Sequence, residues 1–343
     1  MIMKFFFELI QISLGNKSKF DSVPTVEDWM HLFEEAQRQA IIGVLLIGIE
    51  HLPIEQRPPK VLLLQWIALS QISESVVRQH VGCAAELTTI FDNHGYKSCV
   101  LKGVGIALLY PNPFRRQCGD IDFLVNGNRK DIMAWMRREY EVGEIRWHHA
   151  DVKIYDKVQT EIHFHATWLF NPFYNNRLQK WLDKNGLILC KKTDHGFYVP
   201  SLEYNTVYSL IHSFHHLLES GIGFRHIIDY YYIIRNLPLE HRNDLLQTME
   251  TLGLSRFLSA VMWVLSSICG VSTKYLLCEP NEVEGRFLLS EIIAGGNFGY
   301  SRTDGKGHNS LQRYYIMAKH YPHEVIWMVP WKMWHWSWRM FGV

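Results

Sequence analysis

The stretch that decides the reading is Gly119-Asp120-Ile121-Asp122-Phe123-Leu124-Val125. Its apolar alternation marks a strand over 120–125, and on a strand residues two apart share a face. Asp120 and Asp122 therefore stand side by side, while Ile121 and Phe123 turn to the opposite, buried face. Two carboxylates that close repel each other, and a divalent metal is the usual remedy. An isolated Asp-x-Asp can equally do no more than cap a surface strand, so its weight depends on its surroundings.

Downstream, Thr160-Glu161-Ile162-His163-Phe164-His165 alternates in the same way, with Glu161, His163 and His165 on one face. A third carboxylate from a neighbouring strand would complete an oxygen-rich set suited to Mg2+ or Mn2+. His163 either orients the acid beside it or is a satisfied structural histidine. Upstream, Leu101-Lys102-Gly103-Val104-Gly105 lies where a strand turns into a short helix over 104–109. Glycines there let backbone N–H groups approach a phosphate. Neither GxxxxGK[ST] nor GxGxxG is present.

Outside this centre the apolar period is helical. Helices are predicted over 25–52, 60–91, 128–140, 202–219, 224–236, 239–252, 255–269 and 283–293, with strands at 144–147, 151–155 and 159–165 forming a meander. Gly295–Ser310 reads as a polar, Gly-rich loop. The fold class expected is α+β: a small mixed-sheet core over 96–199, flanked by helical regions at 1–95 and 200–343.

Lys and Arg total 35 against 34 Asp and Glu, a net charge of +1 over 343 residues, which gives no overall pull on a polyanion. Apolar residues make up 48% of the chain, enough for a sizeable core. The six cysteines include no CxxC pair and fit a reducing, cytoplasmic setting. The apolar N-terminus is broken by Glu8 and Gln11, lacks a small-residue cleavage site, and reads neither as a signal peptide nor as a spanning segment.

Among 18 histidines, His212 and His216 have the i, i+4 spacing of zinc-binding helices. Ser213 follows His212 where HExxH needs Glu, so packing or a surface place is the plainer reading. Arg225 and Asp229, one turn apart, suggest an intrahelical ion pair. The tail over 321–343 carries Trp327, Trp331, Trp334, Trp336 and Trp338 among Lys332, His335 and Arg339. That composition suits either a membrane-interface contact or a helix packed on the rest of the chain or on a partner.

Strand, Gly turn, helix, Asp-x-Asp strand and a later acid-bearing strand together resemble the nucleotidyltransferase superfamily, whose core is like that of DNA polymerase beta. More closely, LKGVGIALLYP, the block from Arg116 to Val125 and Glu161-Ile162-His163 resemble the uncharacterised nucleotidyltransferase family of bacteria. The likeness extends to an early apolar helix ending at Leu14-Gly15 and to the segment from His215 to Asp229. One departure is Lys102-Gly103, where the wider superfamily has Gly-Gly or Gly-Ser.

The resemblance implies a nucleotidyltransferase core over 96–199 and transfer of a nucleoside monophosphate from an NTP such as ATP to an acceptor hydroxyl, releasing pyrophosphate. It implies Asp120, Asp122 and Glu161 as catalytic residues and as ligands of Mg2+ or Mn2+, with His163 in support. Nucleotide binding falls to Lys102, Gly103, Arg116 and Gly119; Arg115, beside Arg116, could also neutralise phosphate charge. The near-zero net charge favours a small-molecule or protein acceptor over nucleic acid. The other readings are a degenerate member that binds nucleotide or a partner, and a metal-dependent phosphohydrolase.

Overall fold

The computed structural model describes residues 2–299 and 311–341. The chain opens on α1 (Ile2–Ser13), whose Phe6, Leu9 and Ile10 are buried. Residues 25–52 form two helices, not the single one that periodicity suggests: α2 (Val26–Arg38) and α3 (Ile42–His51). A Thr25–Asp28 capping box starts α2. The break falls at Gln39-Ala40-Ile41, where Ala40 takes φ 55°. Gln39 explains it. Its amide donates to the Ile292 carbonyl (3.1 Å) and accepts from the Phe224 N–H (2.9 Å), both contributed by distant helices.

A long helix, α4 (Lys60–Asn93), then runs to Gly95, whose φ of 77° ends it. The sheet follows: β1 (Lys97–Leu101), α5 (Gly103–Ala107), β2 (Asp120–Asn126), α6 (Arg129–Glu139), β3 (Glu141–Ile145), β4 (His149–Lys153) and β5 (Gln159–His163). Its spatial order is β1-β2-β5-β4-β3, in which only β2 and β5 run parallel. The meander forms, but β3 and β4 begin two to three residues before the positions alternation suggested. A tight connection in which the Arg146 N–H donates to the His149 carbonyl (2.8 Å), together with an irregular register between Val142 and Ile145, draws both strands back.

One sheet face is apolar. Ile121, Phe123, Val125, Ala150, Val152 and Ile162 pack beneath α4 and α6. The other face carries the acids and histidines, and its inner edge, with Cys99, Leu101 and Leu124, merges into the helical core.

Beyond the sheet come α7 (Pro172–Asn185), which apolar period did not reveal, and a two-stranded ribbon of β6 (Lys191–Lys192) and β7 (Tyr198–Val199). Next are α8 (Leu202–Glu219) and α9 (Phe224–Asn236), with the expected bounds, then α10 (Arg242–Thr251), α11 (Ser255–Trp263) and α12 (Glu282–Gly295). The chain ends in α13 (Leu311–His320) and α14 (Pro322–Phe341). The N- and C-terminal helices share one buried core, as where Phe6 of α1 meets Phe224 of α9 edge-on at 5.6 Å. Of the Gly-rich stretch expected at 295–310, the part from residue 300 lies outside the described residues.

The Trp-rich tail has two faces. Inward, Trp331 stacks parallel on Trp168 at 5.3 Å, and Trp334 meets Trp147 at 6.0 Å. Outward, Ile326, Val329, Met333, Trp336 and Met340 are exposed at alternating spacings of three and four, an apolar stripe along one side of α14. Among the described residues no helix is long and apolar enough to cross a membrane.

Candidate active site

Strand register assembles the site. Asp122 of β2 pairs with Leu101 of β1 on one side and with Glu161 of β5 on the other, and Glu161 in turn faces Asp151 of β4. One row further along, His163 lies beside His149. Because paired residues in neighbouring strands point to the same side, this row brings acids and imidazoles onto one face. Asp120, Asp122 and Glu161 each present a carboxylate oxygen within 4.8 Å of the other two. Such a hard, all-oxygen set fits Mg2+ or Mn2+.

Two cations of the chain hold these charges together. The Lys102 ammonium lies 2.9 Å from Asp122 and 3.7 Å from Asp120. His163 Nε2–H is shared between Asp122 (2.9 Å) and Glu161 (3.2 Å). Burial disfavours a charge on His163, but the hydrogen bonds to Asp122 and Glu161 outweigh it and raise its pKa to about 9. Burial likewise pushes the Asp122 carboxyl up, and Lys102 and His163 overcome that, leaving it below the usual range. His149, 3.6 Å from both Asp151 and Glu161, has its pKa lowered to about 4, mainly by burial.

Lys102 stands in an unusual backbone conformation, φ 40° and ψ −142°, followed by Gly103 at φ 44°. The pair keeps a turn that two glycines would enter without strain, and a side chain there costs about 1–3 kcal/mol. α5 is only five residues long, so the turn can offer a phosphate backbone N–H groups more than a helix dipole. Gly119 lies in the wall, its carbonyl 3.2 Å from His80 Nε2, with open space where a Cβ would be.

Arg116 lines a small recess with Lys102, Gly103 and Gly119, and its guanidinium is also engaged within the chain. Its Nε and Nη2 donate to the two oxygens of Asp229 (2.7 and 2.6 Å), and the Tyr110 hydroxyl donates to the same carboxylate (2.6 Å). Asp229 thus reaches out of α9 to the segment before β2, where sequence spacing had suggested a partner within its own helix. Arg115 is held by Glu50 (3.0 Å) and Glu74 (2.5 Å).

The sheet face opens into a cleft of roughly 1030 Å³, lined by the acids, by Tyr208, His212 and His216 of α8, and by Lys332 and Arg339 of α14. Sequence reasoning missed the last two as site residues, because nothing local joins a C-terminal helix to a sheet 170 residues earlier. His149 had only the His148-His149 doublet to mark it. His212, His216 and His226 also converge, and burial holds all three well below the ordinary imidazole pKa.

Two measurements check this geometry. Lys102→Gly and Lys102→Ala both delete the ammonium, but only glycine is at ease at φ 40°, so the glycine variant should be more stable by about 1 kcal/mol in urea unfolding. Equal stabilities would mean the backbone is relaxed there. His163 binds its proton more tightly folded (about 9) than unfolded (6.5), so its stabilisation is complete below pH 6.5 and fades as pH rises through 9. In EDTA the unfolding free energy should decline over that window, and His163→Gln should flatten the decline.

The sequence matches the family described as uncharacterised nucleotidyltransferase over residues 25–270, most of the chain. Among solved structures it is similar to the crystal structure of an antigenic nucleotidyltransferase-like protein from Paracoccidioides brasiliensis, at 13% identity and a TM-score of 0.39. That likeness covers 60% of this chain and 96% of the other, and is too loose to bear on the site. No curated protein is similar enough to register as a relative. On the strength of the match over 25–270, the chain belongs to the uncharacterised nucleotidyltransferase family.

Proposed function

We propose that the protein transfers a nucleoside monophosphate from an NTP to a hydroxyl of a small molecule or a protein. The observation that carries this reading is the convergence of Asp120, Asp122 and Glu161 on one sheet face at the floor of a cleft. Held by these three carboxylates, divalent magnesium or manganese would supply charge neutralisation at the triphosphate and polarise the reacting oxygens. The acceptor oxygen forms a bond to the α-phosphorus while the bond from that phosphorus to the β-bridging oxygen breaks, and pyrophosphate leaves. Glu161 is suited to take the acceptor's hydroxyl proton on a carboxylate oxygen. Lys102 and the turn at Gly103 are suited to the triphosphate, with Gly119 leaving room beside it. Arg116, clamped by Asp229, contributes by fixing the segment that leads into β2. The near-zero net charge favours a small or protein acceptor over nucleic acid, and six free thiols suit a reducing cytoplasm.

One observation favours a second reading, a member that binds nucleotide or a partner without transfer: Lys102 and His163 already neutralise much of the carboxylate charge that a metal would. Melting curves separate the two. With Mg2+ and an NTP at a hundredfold excess over Kd, linkage should add about 2.7 kcal/mol of stability. Asp122→Asn should remove most of that gain and abolish transfer of labelled phosphate, while the fold survives. Binding without any labelled adduct would establish the second reading, and no shift with any of the four NTPs would end the first.

The exposed stripe of Ile326, Val329, Met333, Trp336 and Met340 on α14 also supports peripheral membrane contact through its apolar side chains. The chain should co-sediment with vesicles containing phosphatidylglycerol, and Met333→Glu with Trp336→Glu should release it. Unchanged sedimentation of that variant, or no sedimentation of the parent chain, would end this reading.

A further inference from the structure

The carboxylate site leaves one group of converging side chains without a task. His212 and His216 lie one turn apart on α8, and His226 lies at the start of α9, where the chain has reversed. Their ring nitrogens gather within 4.8 Å of one another. His212 and His226 face a small recess shared with Lys102 and Asp120, and His212 and His216 face the main cleft. We infer that these three imidazoles form a second metal site, selective for a borderline first-row divalent ion of the zinc class, in the cleft wall beside the carboxylates. This inference is independent of nucleotidyl transfer.

The distances suit it. Two nitrogens bound tetrahedrally at 2.0–2.1 Å from one ion lie about 3.3 Å apart. His212 Nε2 and His216 Nε2 are 3.1 Å apart. His216 Nδ1 lies 3.2 Å from the Ser220 hydroxyl, and when Nδ1–H donates to that oxygen, Nε2 carries its lone pair toward His212. An outer-shell hydrogen bond of this kind is how ligating histidines are commonly oriented. Two facing nitrogens need either a proton or a cation between them, so the alternative occupant is a single shared proton.

Donor chemistry separates this site from its neighbour. Three neutral nitrogens attract zinc-class ions strongly and Mg2+ weakly, whereas the Asp120, Asp122 and Glu161 oxygens do the reverse. Lys102 and Arg225 place positive charge nearby, which works against any dication and leaves affinity to the nitrogen donors. Three is also the number of protein ligands in catalytic zinc sites, and among the described residues His212 and His216 face the main cleft.

The test uses the full chain, stripped with chelator and titrated with Co2+, whose tetrahedral complexes absorb in the visible. Glu161→Gln serves as the parent, because it disables both the carboxylate set and the neighbouring group of His149, Glu161 and His163. One equivalent of Co2+ should bind with visible bands, and Zn2+ should displace it. Added His216→Gln should weaken binding by more than roughly a hundredfold, beyond the 10–100-fold typical of disturbing an outer-shell partner. His212→Gln, at a half-buried position, repeats the test should His216→Gln fail to fold, as judged by its metal-free melting curve. Absence of Co2+ binding in Glu161→Gln, or unchanged binding in folded histidine variants, would overturn the inference and leave a shared proton. Mg2+-NTP stabilisation of the wild-type chain reports separately on nucleotidyl transfer, so failure of one reading does not imply failure of the other.

Discussion

Asp122 is almost wholly buried, and a carboxylate in that position survives only with partners. It has Lys102 on one side, His163 on the other, and Glu161 as its neighbour across the parallel pair. Among the described residues, Asp120, Asp122 and Glu161 face Lys102 and His163, and the negative charge left over is of the kind a divalent ion is suited to neutralise. The arrangement depends on register: a slip of one residue between β2 and β5 would turn Glu161 to the apolar face and bring Ile162 to the acids. The packing of Ile121, Phe123 and Ile162 under α4 and α6 guards against that slip, so the core on one side of the sheet enforces the chemistry on the other.

A second constraint ties the sheet to the helices. The fork of Arg116 on Asp229 spans 113 residues and is buried at both ends. Breaking such a pair by removing one partner costs about 3–5 kcal/mol. It anchors the segment entering β2 to α9, the helix that carries His226. Lys102 fits the same logic from the other edge: its backbone keeps the turn of a glycine pair, and its side chain supplies a charge no glycine could. At this position the chain combines a backbone conformation that favours glycine with a side chain that brings positive charge to Asp120 and Asp122.

Much of this was legible in the sequence, for reasons that are local. Alternation placed Asp120 and Asp122 on one face, and the 3.6-residue period gave α8 and α9 their bounds, because Ser201 caps one and Gly223 opens the other. The motif order around Lys102, Asp120 and Glu161 was enough to suggest the family. What the sequence did not determine depends on distant partners. The break between α2 and α3 is set by Gln39 bonding to residues 185 and 253 positions away. Asp229, which grips Arg116, lies 113 residues further along the chain, and α14 brings Lys332 and Arg339 to a cleft built far earlier in the chain. Periodicity records which face of an element is apolar; which face of another element it meets is decided only when the helices pack, and there the pairing of buried charges and main-chain groups selects the arrangement.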